Sequence, residues 1–420
     1  MQFVIQVGGK GTRVNSITKG GPKALIKLNN ITILDHQLRA IKKYSKKKII
    51  ILNNIIFKDI ENHLKKKKNF KYSIINEKKP LGTAGSLFEL KHSRQKLFAL
   101  VYGDLIIDFN FEELKKFHLK KKSDLTLVIH PNDHPFDSDK VSLDKNLKVT
   151  NFYNKKIHGN KCGNQCLSGI CLFNKKILKY LIKNKFQDFS KNFIPKLLKN
   201  KVKIFGYITR EYIKDAGTTK RLKQVEKDII NRIPNSFSLN KKMPAVFLDK
   251  DGIINKDLYN AKYQDIKNIY SRVPEAIKKI NNNNYLVIVV TNQPAIAKGF
   301  VSEKKVEKDF RYLESLLSKN KSHIDKIYYC PHHPDKGFNG EIKKYKIQCN
   351  CRKPKNGMIL QAIKDFNIDT KKSVMIGDRV EDYYAAKKSK IQFFLINKKL
   401  NIKSVKKFNN LFEFSKYYFN

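Results

Sequence analysis

AVFLDKDGIIN, residues 245–255, sets two carboxylates, Asp249 and Asp251, one residue apart at the end of a short apolar run. Four apolar residues running into acids read as a buried strand whose carboxyl end carries chemistry, because open α/β sheets present their ligand crevice there. Outward from this stretch the pattern recurs. LVIVVT (286–291), IDKIYYC (324–330), SVMIGD (373–378) and IQFFLI (391–396) follow it, spaced by amphipathic helical stretches. Upstream lie QFVIQV (2–7), KKIIIL (47–52), LFALVY (97–102), DLTLVI (124–129), GICLF (169–173) and KIFGYI (203–208). Such alternation specifies parallel α/β architecture. NRIPNSFSLNKKMP (231–244) is polar, contains proline and lacks an apolar period, so it reads as a linker. The expected fold class is α/β, with two Rossmann-like three-layer domains at 1–232 and 244–420 joined by a linker at 233–243.

Composition fits this division. A chain of 420 residues is long for one core, and a hydrophobic share of 41% supplies two. The net charge of +50, from 87 Lys and Arg against 37 Asp and Glu, is the unusual feature. It raises a reading of a basic nucleic-acid-binding protein. Against it, the lysines are scattered among Asn and Ile, runs such as HLKKKKNF and HLKKKSD end helix-like segments, and no helix-turn-helix, zinc-finger or RNP-type pattern accompanies them. A solvated surface is the expectation, with no specific nucleic acid partner. MQFVIQVGGK (1–10) lacks a basic leader, its apolar run is far below the roughly 7 to 15 residues of a signal core, and no run approaches the roughly 18 residues of a membrane span, so a cytoplasmic protein without membrane contact is expected. Cys162, Cys166 and Cys171 are isolated and expected to be reduced thiols.

The acid pair suggests phosphoryl chemistry. A carboxylate attacks phosphorus only when something shields it from the phosphate charge and something else protonates the leaving oxygen. Asp249 at the strand end is placed as nucleophile, Asp251 as proton donor and then acceptor, and Gly252 permits the tight turn between them. Mg²⁺ would relieve their repulsion with Asp378, from SVMIGDRVED, as a further ligand; Asp382 follows four residues on. Thr291 and Asn292 offer a hydroxyl and an amide to phosphoryl oxygens, and Lys353 a positive clamp. Between these elements, Cys330 and His332 are two apart, and Cys349 and Cys351 are two apart, with 18 residues between Cys330 and Cys349. Three thiolates and an imidazole make a closed tetrahedral Zn²⁺ site, structural in kind, whose loop would deliver Arg352 and Lys353; adjacent His333 is a competing ligand that spacing alone does not separate.

The first half opens with VIQVGGKGTRVNSITKGGPKAL (4–25): a strand runs into Gly8, Gly9 and Gly11, then Thr12 and Arg13, with Lys23 after a proline. Glycines let backbone N–H groups close on an anion, and the two cations would neutralise a polyphosphate. VYGDLIID and IKDAGTTKRL add Asp104 and Asp215, a pair able to hold Mg²⁺.

These motifs carry two resemblances. Residues 1–232 resemble the sugar-phosphate nucleotidyltransferases, a family with a GT-A-like fold, through GG-x-GTR, the PKAL lysine, the central GD and the late D-x-GT in this order. The resemblance implies that Gly8 to Arg13 cradle a nucleoside triphosphate, that Lys23 contacts phosphate, that Asp104 and Asp215 bind Mg²⁺, and that Gly82 and Thr83 of EKKPLGTAGSL lie beside base and ribose. Where many members carry EKP and NAG or NSG, this chain has Asn154 in NKK and Leu167 in LSG. D-x-D-G, strand-T-N, K-P and G-D-x-x-x-D have the order of haloacid-dehalogenase-type phosphatases. FLDKDGIIN, TNQPAIAKG, the CPHHP to CNCRKP loop and IGDRVED resemble, within that superfamily, D-glycero-D-manno-heptose 1,7-bisphosphate 7-phosphatases. That likeness implies the roles given above for Asp249, Asp251, Thr291 and Lys353. It makes Arg352, Asn292, Asp257, Tyr259, Asn260 and Arg379 substrate contacts, and Asp249, Asp378 and the Asp251 carbonyl ligands of Mg²⁺. Joined, the halves imply a bifunctional enzyme taking heptose bisphosphate, heptose 1-phosphate and a nucleoside triphosphate, with GTP as donor by likeness to heptose 1-phosphate guanylyltransferases. The alternatives are a phosphatase whose first half only binds sugar phosphate, and a histidinol-phosphate-type phosphatase, which carries a similar zinc loop.

Overall fold

Every apolar run named above forms a strand in the computed structural model, which describes residues 1–9, 12–54, 56–132, 134–154, 162–256, 269–396 and 400–420. Gly11, Asp257, Tyr259 and Asn260 lie outside the described residues, and of Thr12 only the main chain is described. The chain divides into two compact units between Ser238 and Leu239, with the short segments 131–138 and 155–164 grouping with the second unit.

The first unit is built on a seven-stranded sheet in the order Ile204–Ile208, Leu125–Ile129, Leu167–Asn174, Leu97–Tyr102, Gln2–Gln6, Ile49–Asn54, Tyr72–Glu77. Leu167–Asn174 runs antiparallel to both neighbours, whereas the other pairings are parallel. The sheet is therefore mixed, which runs of buried Val, Ile and Leu do not reveal because both directions bury two faces equally. Phe3, Ile5 and Leu172 pack into one core layer, and Val4, Leu100 and Phe173 into the other, giving the sheet an apolar cover on each face. A small antiparallel ribbon of Leu105–Asp108 and Tyr212–Asp215 opposes Leu105 to Asp215. That register places the ends of two distant strands side by side. The linker stretch is partly structured: Ile233–Ser236 is a short helix, and the Arg210 guanidinium donates to the Phe237 and Ser238 carbonyls at 2.8 and 3.0 Å.

The second unit carries a fully parallel five-stranded sheet in the order Lys326–Cys330, Leu286–Asn292, Ala245–Leu248, Val374–Gly377, Gln392–Leu395. Ala245–Leu248 is central and buried along its whole length, as its unbroken apolar run requires. Leu248 opposes Val289 on one side and Ile376 on the other, so Asp249, Thr291 and Asp378 emerge at the same carboxyl edge. The lysine runs fall where solvated charge belongs, at the C-terminal ends of helices Lys58–Lys65 and Phe111–Lys120, where cations favour the helix dipole. Among the described residues no helix is long and apolar enough to cross a membrane.

Candidate active sites

At the carboxyl edge of the second sheet, Asp249 is 6% exposed and accepts the Lys250 N–H at 2.7 Å. Lys353 Nζ lies 2.9 Å from Asp249 Oδ1 and 2.6 Å from Asp382 Oδ1, and donates to the Val290 carbonyl at 2.9 Å. One ammonium is thus clamped between two buried acids. Burial raises Asp249, Lys353 opposes the rise, and Asp382 and Asp251 add to it, so its carboxyl is pushed up to about 7. Burial would lower Lys353, but its two acid partners outweigh this and hold it above the usual lysine range.

The Asp251 side chain is tied elsewhere: it pairs with Lys250, accepts from Asn255 Nδ2 at 2.8 Å, and accepts from Gln293 Nε2 at 3.1 Å. The same Gln293 amide donates to Thr291 Oγ1 at 3.0 Å, linking the two chemical groups. The acids that converge closely enough to share a cation are Asp249, Asp378 and Asp382, with ligand atoms all within 4.8 Å of one another. Gly252, at φ +85°, lies so near Asp378 that a Cβ would collide with its carboxylate. Only glycine lets the turn after Asp251 close on that acid. The buried, like-charged set of three fits a divalent ion, since three ionised carboxylates at this spacing need more positive charge than Lys353 alone supplies.

Cys330 ends the neighbouring strand, opposite Asn292. Its Sγ lies 3.1 Å from Cys351 Sγ and 3.6 Å from both Cys349 Sγ and His332 Nδ1, while Cys351 Sγ is 3.3 Å from Cys349 Sγ and from His332 Nδ1. A tetrahedron with metal–sulfur bonds of about 2.3 Å has edges of roughly 3.8 Å, so small outward shifts would admit a metal ion, and the donor set fits one. His332 faces this cluster. His333 instead stands edge-on to the Phe338 ring. The loop delivers Arg352, whose Nη1 donates to the His332 carbonyl at 3.3 Å, and Lys353, whose main chain makes reciprocal bonds of 3.0 and 3.1 Å with the Asn292 amide. Arg379 precedes helix Val380–Lys388, its N–H donating to Asp382 Oδ2 at 3.2 Å.

In the first unit, Gly8 and Gly9 follow the opening strand, and nothing lies within 4 Å of where a Gly9 Cβ would stand. Gly103 presses the GD turn against the Gln6 carbonyl, leaving no room for a side chain there. Lys23 Nζ pairs with Asp104 Oδ2 at 2.7 Å; Arg221 Nη1 pairs with Asp215 Oδ1 at 2.9 Å. Ala216 N–H donates to the Asp104 carbonyl at 2.8 Å, so the ribbon joins the two acids' backbones, and Arg13 lies beside the Gly217 turn. The two carboxylates are partly exposed at adjacent ends of the ribbon, and each faces one cation. The Gly82 segment is fixed from behind: Ala84 and Gly85 N–H groups donate to the Gln187 carbonyl, and Thr83 Oγ1 accepts the Phe189 N–H at 2.8 Å and donates to Asp188 at 3.3 Å. The Thr83 hydroxyl is therefore engaged within the protein. Asn154 is buried, and Leu167 begins its strand with its N–H on the Asp139 carbonyl.

Comparison with known proteins assigns both halves. The nucleotidyl transferase family matches residues 2–232. D-glycero-β-D-manno-heptose-1,7-bisphosphate 7-phosphatase of Haemophilus influenzae is 39% identical over 148 residues, 35% of this chain and 78% of that protein. The chain belongs to both families. The Haemophilus ducreyi phosphatase of the same name is 42% identical over 143 residues, 34% of this chain and 76% of its own. A polynucleotide kinase 3 phosphatase family matches residues 246–408. Among solved structures, HddC from Yersinia pseudotuberculosis aligns with 22% identity and a TM-score of 0.48, covering 54% of this chain and 99% of that one.

Around the phosphatase carboxylates, the structure adds neighbours to which the motifs gave no role. Asp382 pairs with Lys353, while Lys250, Asn255 and Gln293 hold Asp251. Each stands inside or beside a recognised motif, which was the available signal. In the transferase half, Arg221 on Asp215 had no such signal beyond its place six residues after the acid.

Proposed function

We propose that this chain is a bifunctional enzyme of nucleotide-activated heptose synthesis. Its second unit hydrolyses the 7-phosphate of D-glycero-D-manno-heptose 1,7-bisphosphate, and its first joins a nucleotidyl group to the heptose 1-phosphate so formed. The observation carrying this reading is that both families occur in one chain, because the phosphatase product is the kind of acceptor that a sugar-phosphate nucleotidyltransferase activates.

In the phosphatase, an Asp249 oxygen attacks phosphorus as the bond to the sugar oxygen breaks, and Asp251 gives that oxygen its proton. Water then attacks the aspartyl phosphate, its proton passing to Asp251, and inorganic phosphate leaves. Thr291 and Lys353 hold the phosphoryl oxygens. Gln293, bonded to both Thr291 and Asp251, keeps the proton donor aligned with the group being transferred. In the transferase, the Gly8 to Arg13 loop and Lys23 hold the triphosphate while a heptose 1-phosphate oxygen attacks the α-phosphorus and pyrophosphate leaves. Mg²⁺, held by Asp249, Asp378, Asp382 and the Asp251 carbonyl in one unit and by Asp104 and Asp215 in the other, would neutralise phosphate oxygens, and Zn²⁺ on Cys330, His332, Cys349 and Cys351 would fix the loop.

The likeness of residues 1–232 to transferases of the GDP-heptose route supports GTP as donor. Pyrophosphate release from heptose 1-phosphate with each of the four nucleoside triphosphates tests this: GTP should be fastest, and a preference for another triphosphate overturns the choice of base. The +50 charge and the polynucleotide phosphatase match favour a second reading, a nucleic acid 3′-phosphate as substrate. Identity of 39–42% across three quarters of the sugar phosphatases outweighs them. Phosphate release from a 3′-phosphorylated oligonucleotide at a rate matching the heptose ester would reverse that order.

A further inference from the structure

Helix Glu303–Ser318 opens on an acid that the reaction above leaves unused. The half-buried Glu303 carboxylate serves two phenols: Tyr345 donates to its Oε2 at 2.6 Å, and the Tyr329 hydroxyl lies 3.0 Å from its Oε1. Both tyrosines stand on the segments that carry the metal-type donors. Tyr329 immediately precedes Cys330 in strand Lys326–Cys330. Tyr345 is buried, its carbonyl accepts the His333 N–H at 3.1 Å, and its ring centroid stands 6.0 Å from that of His332. One carboxylate thus grips the chain on both sides of the Cys330 and His332 pair, next to the first in sequence and against the second in space. The 2.6 Å contact is of the short, charge-assisted kind. The Tyr329 hydroxyl also lies 3.0 Å from Glu307 Oε1, one turn along the helix, so its single hydrogen is shared between two acids. The other half of the donor set has a separate anchor: Lys355 Nζ donates to the Cys349 carbonyl at 2.9 Å, and the Gly357 N–H to the Asn350 carbonyl at 3.0 Å.

We propose that Glu303 is a positioning residue for the four-donor cluster: through Tyr345 and Tyr329 it holds Cys330 and His332 in the arrangement that the ion takes, and so slows loss of zinc. This rests on the reading of that cluster as a Zn²⁺ site. An acid that only favoured the helix start, or steadied the fold at large, would make the same contacts, and the experiment separates these roles.

The test loads the full chain with Zn²⁺ and measures how fast a chromogenic chelator removes it from the wild type, Tyr345→Phe, Glu303→Asp and the double variant. Phenylalanine keeps the ring and deletes the hydroxyl; aspartate keeps the charge at the helix start and shortens its reach. Each single change should speed release by about ten-fold or more. The double variant should release zinc no faster than Glu303→Asp, within about two-fold, because both changes act through one bond. At limiting free Zn²⁺ the variants should lose phosphatase activity, and saturating Zn²⁺ should restore it to within about two-fold of the wild type. Wild-type release from both single variants, multiplied effects in the double variant, or a loss of activity that saturating Zn²⁺ leaves in place overturns the role of Glu303 while the zinc reading stands. A wild type that retains no zinc overturns that reading and the proposal with it.

Discussion

Asp249 sits between a neighbour that favours its charge and two that oppose it. Lys353 pulls its proton affinity down, whereas burial and the Asp382 and Asp251 carboxylates push it up to about 7. An attacking carboxylate must be ionised, so below that value the nucleophile is progressively lost as its proton returns. At limiting Mg²⁺, phosphatase kcat/KM should therefore rise with pH up to about 7. Saturating Mg²⁺ stabilises the ionised form and should move that limb to lower pH. A limb that Mg²⁺ does not move would contradict the placement of Asp249 among the cation's ligands. The acid pair itself was legible because both members stand in one short stretch behind an apolar run. Lys353 was legible as a cation for the phosphoryl group, but its pairing with Asp249 and Asp382 was not, because Lys353 comes from the loop after Cys351 and Asp382 from helix Val380–Lys388.

Strand positions followed from runs of apolar residues, and the exception is instructive. Tyr72–Glu77 is an edge strand with no fully buried residue, and its Tyr, Ser, Ile, Ile, Asn and Glu hold an apolar run of only two residues. The ribbon strands of four residues were hidden for a different reason, being too short to show a period. Loop geometry was less legible than strands. At Gly82 the main chain has φ +77°, and a Cβ there would stand 2.6 Å from the Gln187 carbonyl. Gly82→Ala should destabilise the first unit by about 2 to 4 kcal/mol through left-handed strain and this collision. Thermal unfolding checks it, and an unchanged midpoint would mean that the segment relaxes freely. The Cys and His spacing was legible as a cluster of metal-type donors, and the turn of His332 toward it and of His333 toward Phe338 appears only in the structure. About one zinc per chain is expected, with Cys349→Ser lowering zinc content and cutting phosphatase activity about 10- to 100-fold as Arg352 and Lys353 lose their support. Full activity of zinc-free protein given only Mg²⁺ would contradict this.

Across the chain, the break between the compact units at Ser238 and Leu239 falls inside the polar interval 231–244, whereas the grouping of segments 131–138 and 155–164 with the second unit had no sequence signal. That Arg210 would bind part of that interval was not legible, because an isolated arginine carries no sequence signal of its carbonyl partners. The assignment of the two units to successive reactions predicts a dependence that neither unit alone would produce. Asp249→Asn removes the nucleophile of the second unit, so phosphate release should fall by a thousand-fold or more, on the order seen when catalytic nucleophiles are removed. The decisive measurement is pyrophosphate release by Asp249→Asn from GTP with heptose 1,7-bisphosphate, repeated with heptose 1-phosphate. No release with the bisphosphate and wild-type release with the monophosphate is the expected result. Pyrophosphate formed at the wild-type rate from the bisphosphate, or none formed from heptose 1-phosphate by either protein, would contradict a chain that dephosphorylates first and activates second.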